Sequence, residues 1–279
     1  MKNGSSETVV GAGVPAKRFP FRLGTTSYIF PADLITNARS LAEQVHDVEL
    51  VLFESEDASN LPNEETLHTL QAIARDTGLS YTVHFPLSVY LGSPDPFVRK
   101  QSIQTCLRVY NLCQPLAPFA YILHFHGERR GPMPSPDLEG WLEATKNSVQ
   151  QLLDAGLPSR LLCVETLDYS FRLIEPIVKD YDLSICLDVG HILLYSHPLE
   201  EYLDQYLERC RVVHLHGIYD GVDHKDIAAI HSQHLDLLFS RLSSGAPPER
   251  VVTLEVFSWS DLRKSISVIE RVFGLDPEV

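Results

Sequence analysis

Apolar runs that end in a histidine or a carboxylate recur along this chain. They are Tyr81-Thr-Val-His84, Tyr121-Ile-Leu-His-Phe-His126, Leu161-Leu-Cys-Val-Glu165, Val212-Val-His-Leu-His216 and Val251-Val-Thr-Leu-Glu255. One further run, Leu183-Ser-Ile-Cys-Leu-Asp-Val-Gly-His191, ends in both kinds, with Asp188 and His191 three residues apart. Each is short enough for one strand. Continuous apolar sequence marks strands covered on both faces, which is the property of a parallel sheet. Polar groups at the same end of successive parallel strands meet at one edge of that sheet.

Two more strands complete the set, Phe21 to Ser27 and Asp47 to Glu54. Each of the eight strands is followed by a helical pattern. Pro31 and Asp33 start a helix carrying Leu34, Ala38, Leu41 and Val45 at helical spacing. Pro62 and Asn63 start another, which Gly78 stops. Pro96 to Cys113 is a long helix; Leu138 to Leu152, Phe171 to Lys179 with a possible kink at Pro176, Leu199 to Cys210, Ile227 to Leu242 and Asp261 to Phe273 follow. Eight strand–helix units in about 250 residues predict an α/β chain closed as a single (β/α)8 TIM barrel over residues 19–279. Residues 1–18 are expected to be a disordered N-terminal tail, since they are small and polar and lack the apolar segment of a secretion signal. With no run able to cross a bilayer, the expected setting is the cytoplasm, without a membrane partner.

The formal charge is −14, with 37 acidic against 23 basic residues. Nucleic-acid affinity comes mostly from cations neutralising phosphates, so a small-molecule substrate is expected and nucleic acid is not. The five cysteines form no C-x-x-C pair; Cys163 and Cys186 lie inside apolar strands as small hydrophobes.

Barrel enzymes place their chemistry at the C-terminal ends of the strands. His84, His124, His126, Glu165, Asp188, His191, His214, His216 and Glu255 all fall there. Taken singly each has a bland reading: Asp188 capping the next helix, His84 packed against backbone, Glu165 and Glu255 paired with nearby arginines. So many ionisable groups in one mouth are costly unless a cation or substrate satisfies them. Imidazoles with carboxylates suit zinc, manganese or iron. Two or three divalent metal ions per chain are expected, with Glu165 as the bridge. His124 and His126 share a face, as do His214 and His216, so each pair offers one ligand and one group for the substrate side; His126 and His216 are assigned to the latter. The loop after strand seven, carrying Tyr219, Asp223, His224 and Lys225, overhangs the mouth. Lys225 is a candidate for orienting an anionic substrate, while Arg129 and Arg130 read as solvated loop residues. Tyr28, Phe30, Tyr90 and Tyr219 are aromatic candidates for a wide substrate mouth. Glu49 could face the barrel interior and Glu54 its rim.

Val83-His-Phe-Pro86, Glu165, Asp188-Val-Gly-His191, Val213-His214-Leu and Glu255 together resemble the xylose-isomerase-like barrel superfamily, which includes endonuclease IV-type enzymes and sugar isomerases and epimerases. By that resemblance His84 and His124 hold one metal, Glu165 and Glu255 bridge or share metals, and Asp188 and His214 bind a second. His191, Asp223 and His224 hold a third. The endonucleases carry Asp-x-His in the last loop, whereas Asp223 and His224 are adjacent here, which puts the third metal in question. Gly24-Thr-Thr-Ser-Tyr-Ile-Phe-Pro31, Glu49-Leu-Val-Leu-Phe-Glu-Ser55 and Tyr81-Thr-Val-His-Phe-Pro-Leu87 resemble the cobamide-remodelling phosphodiesterases of that superfamily. This implies hydrolysis of the nucleotide-loop phosphodiester of a cobamide to adenosylcobinamide phosphate and an α-riboside. Glu165, Glu255, His191 and Lys225 are the expected catalytic groups. The competing expectation is a sugar or sugar-phosphate isomerase or epimerase, with Glu165 and Glu255 flanking one metal.

Overall fold

The six residue-marked runs and the two earlier ones become the staves of one closed, all-parallel barrel. The structure is a computed structural model that describes residues 19–55, 57–244 and 249–275; the tail expected over 1–18 lies outside them. The staves are β1 (Arg22–Thr26), β2 (Asp47–Val51), β3 (Ser80–His84), β4 (Tyr121–Leu123), β5 (Leu162–Glu165), β6 (Ser184–Asp188) and β7 (Cys210–Leu215). A hairpin, β8 (Gly217–Tyr219) and β9 (Val222–Lys225), comes before the last stave, β10 (Val251–Leu254). Around the barrel the order is β1-β10-β7-β6-β5-β4-β3-β2, the expected single TIM barrel.

The helices form for legible local reasons. Asp33 and Asn63 accept N–H groups of the first turns of Leu34–Leu41 and Glu64–Thr77. Gly78, at φ 73°, ends the second in the left-handed region that an L side chain rarely adopts. Pro96 opens the 18-residue helix that ends at Cys113, where its missing N–H costs no bond.

Three expectations change. Pro176 does not kink a longer helix. A 3-10 turn over Phe171–Leu173 precedes a short helix, Glu175–Asp180, with Pro176 in its first turn. The helix expected over 227–242 is divided into a turn at Ile227–Ala229 and a helix at Ser232–Ser243. The polar stretch after β7 is the β8–β9 hairpin, closed at Asp220 and Gly221, both with positive φ. Asp-Gly is the pair that such a tight hairpin turn favours. None of the described helices is long and apolar enough to cross a membrane.

Alternation along the staves separates two cores. Outward residues such as Val83, Leu123, Val164, Leu187, Val213 and Leu254 join the large cluster beneath the helices. Ile122, Cys163, Cys186 and Val212 form a separate small cluster inside the barrel. All five cysteines are buried and unpaired.

Candidate metal centre

Two residues beyond four members of the inner cluster, the same strand face presents an ionisable group: Ile122 leads to His124, Cys163 to Glu165, Cys186 to Asp188 and Val212 to His214. The inner cluster is therefore the floor of a polar ring at the C-terminal mouth. His84 and Glu255 join the ring from β3 and from just beyond β10. Glu165, Asp188 and His214 are essentially without solvent contact.

Glu165 is the hub. Its Oε2 lies 2.9 Å from His124 Nε2, 3.3 Å from His214 Nδ1 and 3.6 Å from His84 Nε2, and its Oε1 lies 3.4 Å from His191 Nδ1. His84 Nδ1–H donates to the Phe85 carbonyl at 2.7 Å, leaving Nε2 with the lone pair. His214 Nε2–H donates to Glu49 at 2.9 Å, so its Nδ1 faces Glu165 and, at 3.2 Å, Glu255 Oε2. A buried carboxylate holding the far nitrogen of an imidazole fixes its tautomer and direction, the usual support for a ligand histidine.

Asp188 does two jobs. Its Oδ1 accepts the backbone N–H of His191 at 2.8 Å, capping the short helix Val189–Leu194. Its Oδ2 sits 2.8 Å from His191 Nδ1. The cap therefore helps to place His191 at the mouth, beside the carboxylate that caps its helix. His216 packs on the backbone of Gly190, where an added Cβ would come within 2.2 Å of the ring.

Three groups of potential donors follow: His84 with His124 and Glu165; Glu165 with Asp188 and His191; and His191 with His216 and His224. Within each, one donor atom per residue lies within 4.8 Å of the others. Glu49, His214 and Glu255 form a further such group. The donors fit divalent cations on a direct observation: Glu165 Oε2, Asp188 Oδ2, His214 Nδ1 and Glu255 Oε2 are buried without a hydrogen-bond partner. Lone pairs aimed at one another in a dry site need a proton or a cation between them. The thiol of Cys186, near Glu165 and His214, is held by burial well above its usual pKa and is a poor donor.

The electrostatics say the same. Burial disfavours charge on His191, yet the Asp188 carboxylate outweighs it and raises the pKa to about 12. Burial likewise opposes His214, but the charges around it, Glu49 and Glu255 among them, hold it well above the usual imidazole range. Burial alone would raise Glu165; the His124 and His214 charges instead hold it well below the carboxylate range. The ring thus demands positive charge.

A cavity of about 380 Å³ opens above it, lined among others by His84, His126, His191, His224, Glu255 and Phe257. His126 is pulled down to about 4, first by burial and then by the His124 charge, so it is neutral near pH 7. Arg129 and Arg130, read from sequence as solvated, line the same cavity with Asp168; the Asp168 carboxylate accepts the Gly131 N–H at 2.5 Å and holds the loop there. Asp223 reaches the wall. Lys225, Tyr219 and His216 do not line it. Lys225 pairs with Gly217 in the hairpin, Tyr219 is 66% exposed, and His216 is 0% exposed beneath His224, whose N–H it accepts at 3.1 Å. Expected on the substrate side, His216 thus lies beneath His224, and Tyr219 and Lys225 lie on the hairpin beside the cavity. Tyr28 lies on a neighbouring apolar shelf with Phe30, and Tyr90 lines neither. Glu54, outside β2, pairs with Arg108. Glu49, which the sequence allowed to face the barrel interior, does so and holds His214; what the sequence left unassigned is that partner.

A curated relative, the probable endonuclease 4 of Persephonella marina, is 26% identical over 163 residues, 50% of this chain and 55% of that protein. The chain thus matches only about half the length of that relative. Among solved structures, a D-tagatose 3-epimerase-like protein superposes with TM-score 0.72 at 19% identity, covering 92% of this chain and 99% of that one. The IOLI protein with a bound zinc atom superposes with TM-score 0.70 at 12% identity, covering 93% and 100%. At those identities the structural likeness speaks for the fold. The family model described as the xylose isomerase-like TIM barrel matches residues 44–261, and the chain belongs to that family.

Proposed function

We propose that this protein is a metal-dependent hydrolase of a small-molecule phosphodiester, and that its substrate is a cobamide, cleaved in the nucleotide loop to adenosylcobinamide phosphate and an α-riboside. The observation that carries the reading is the set of overlapping donor groups sharing Glu165 and His191. One cation would leave half of these donors without work. The endonuclease likeness points the same way, since an endonuclease acts on a phosphodiester, and the zinc of the IOLI protein fits the donor chemistry.

His84, His124, Glu165, Asp188, His191, His214 and Glu255 would hold two cations. His224 would hold a third, with Asp223 or His216 completing it. Bound divalent cations supply Lewis acidity, neutralising phosphoryl oxygens and acidifying water. Glu165, whose two oxygens approach His124 and His191 respectively, would be shared between the cations. The Arg129 and Arg130 guanidiniums, on the cavity wall, orient the phosphate. Neutral His126, with Nε2 buried and unpartnered, accepts a hydrogen bond from the attacking water or a substrate hydroxyl. The net charge of −14 favours a small substrate over a duplex.

A second reading, sugar epimerisation, is favoured by one observation: Glu165 and Glu255 both approach His214 Nδ1, at 3.3 and 3.2 Å, which brings two candidate bases to one point of the mouth.

The deciding experiment incubates zinc- or manganese-loaded protein with a cobamide, with abasic duplex DNA, and with D-tagatose in deuterated water. Riboside release is expected. Deuterium uptake at the sugar carbon, or DNA cleavage, without riboside release would overturn the reading.

A further inference from the structure

The mouth is chemically lopsided. On the β4 and β5 side the cavity wall carries Arg129, Arg130 and Asp168. On the β1, β2 and β10 side it runs through Val51 and Phe257, which line both spaces, into a second hollow of about 470 Å³. That hollow is lined by Tyr28, Ile29, Phe30, Pro31, Val51, Phe53 and Phe257, with no charged side chain.

Its rings are exposed and yet held. Tyr28, Phe53 and Phe257 are 36, 39 and 44% exposed, a concentration of open aromatic surface at the rim of a reaction cavity. Two asparagines spend their side chains fixing the loops that carry them. Asn60 accepts the Phe53 N–H at 2.7 Å and donates to the Tyr28 hydroxyl at 3.1 Å and the Val51 carbonyl at 2.8 Å. Asn37, wholly buried, accepts the Phe30 N–H at 2.9 Å and donates to the Phe30 carbonyl at 3.1 Å. Phe30 in turn stacks on Trp259, ring centroids 5.5 Å apart. Exposed aromatics on loops pinned by side-chain hydrogen bonds are pre-organised, so a ligand meets little ordering cost.

We infer that this shelf is the seat of the flat, uncharged heteroaromatic base of the riboside half of the substrate, placed there while the phosphodiester lies over the polar ring. Stacking on aromatic side chains tolerates different bases, because each has a π-face. The apolar lining of the shelf selects a neutral ring over a phosphate or a carboxamide rim, whose polar groups it would leave unpaired, and its continuity with the cavity lets base and phosphate be engaged together. This rests on the riboside-releasing reading above, but it concerns binding and is tested without turnover.

The test titrates a benzimidazole riboside into the full chain, reading Trp259 fluorescence; the other tryptophan, Trp141, is buried in the core. Ribose and inorganic phosphate are the control ligands. Phe257→Ala and Phe53→Ala are expected to weaken riboside binding at least tenfold each while leaving phosphate binding within twofold. Tyr28→Ala serves in place of either variant if it melts early. Riboside affinity unchanged in these variants, or ribose binding as tightly as the riboside, would overturn the assignment. If the riboside binds as expected but the loaded enzyme cleaves no cobamide, the shelf stands and only the substrate reading falls.

Discussion

His214 Nε2 and Glu49 Oε2 lie 2.9 Å apart, both without solvent exposure, one rung below the mouth of the barrel. This pair sets which nitrogen His214 turns toward Glu165 and Glu255. Glu49→Gln keeps the shape and weakens the acceptor. We expect cation affinity to fall about 10–100-fold, as for other supports of ligand histidines, with full occupancy recovered at high metal concentration. Competition titration against a chelating dye measures it; wild-type affinity in the variant would show that Glu49 does not orient a ligand.

Glu165 touches His84, His124, His191 and His214. Glu165→Gln removes the charge shared by these groups and is expected to lower turnover by about 10²–10³-fold and to cost at least one bound cation. Far-ultraviolet circular dichroism should be unchanged. Elemental analysis showing the wild-type complement of metal in this variant would refute the bridging role.

Cation binding and protonation compete for the same nitrogens. In metal-free protein the raised pKa values of His191 and His214 contribute stability that is complete below the unfolded value, about 6.5. It drains away as pH rises toward the folded values. The metal-free protein should therefore melt at a lower temperature at about pH 9 than at about pH 6.5. Loaded protein should gain from metal as pH rises, by about 2.7 kcal/mol at one hundred times Kd. Paired melts with and without chelator read both slopes; parallel slopes would contradict a shared site.

At the opposite end of the barrel, burial raises Asp47 to about 6 despite the hydrogen bond from the Ser80 hydroxyl. Its folded pKa exceeds the unfolded one, so its contribution is whole below about pH 4 and is lost as pH rises through about 6. Asp47→Asn removes the penalty of burying that charge. Urea melts at about pH 8 should show the variant more stable, by up to about 3 kcal/mol, with the difference vanishing near pH 4.

The barrel was legible because its strands are apolar on both faces and its helices carry their own caps, as Asp33, Asn63 and Gly78 show. The polar ring was legible too, because each of its residues lies at the end of a stave and a period of two fixes which neighbours share its face. The hairpin after β7 was read as a loop, since strands of three and four residues, the second with Asp, His and Lys, carry no apolar alternation. That hairpin carries Tyr219 and Lys225, and just before it His216 lies buried beneath His224.

By itself, then, the order of residues determined the eight staves, the caps and the end of the barrel where imidazoles and carboxylates collect, all of them matters of local period and chemistry. Tertiary structure decided that Glu49, 165 residues away in sequence, holds His214, that Arg129 and Arg130 reach the cavity, and that Phe53 and Phe257 share a shelf with Tyr28. These depend on closure: which staves become neighbours, and how far each loop leans over the mouth, are fixed only when the first stave pairs with the last.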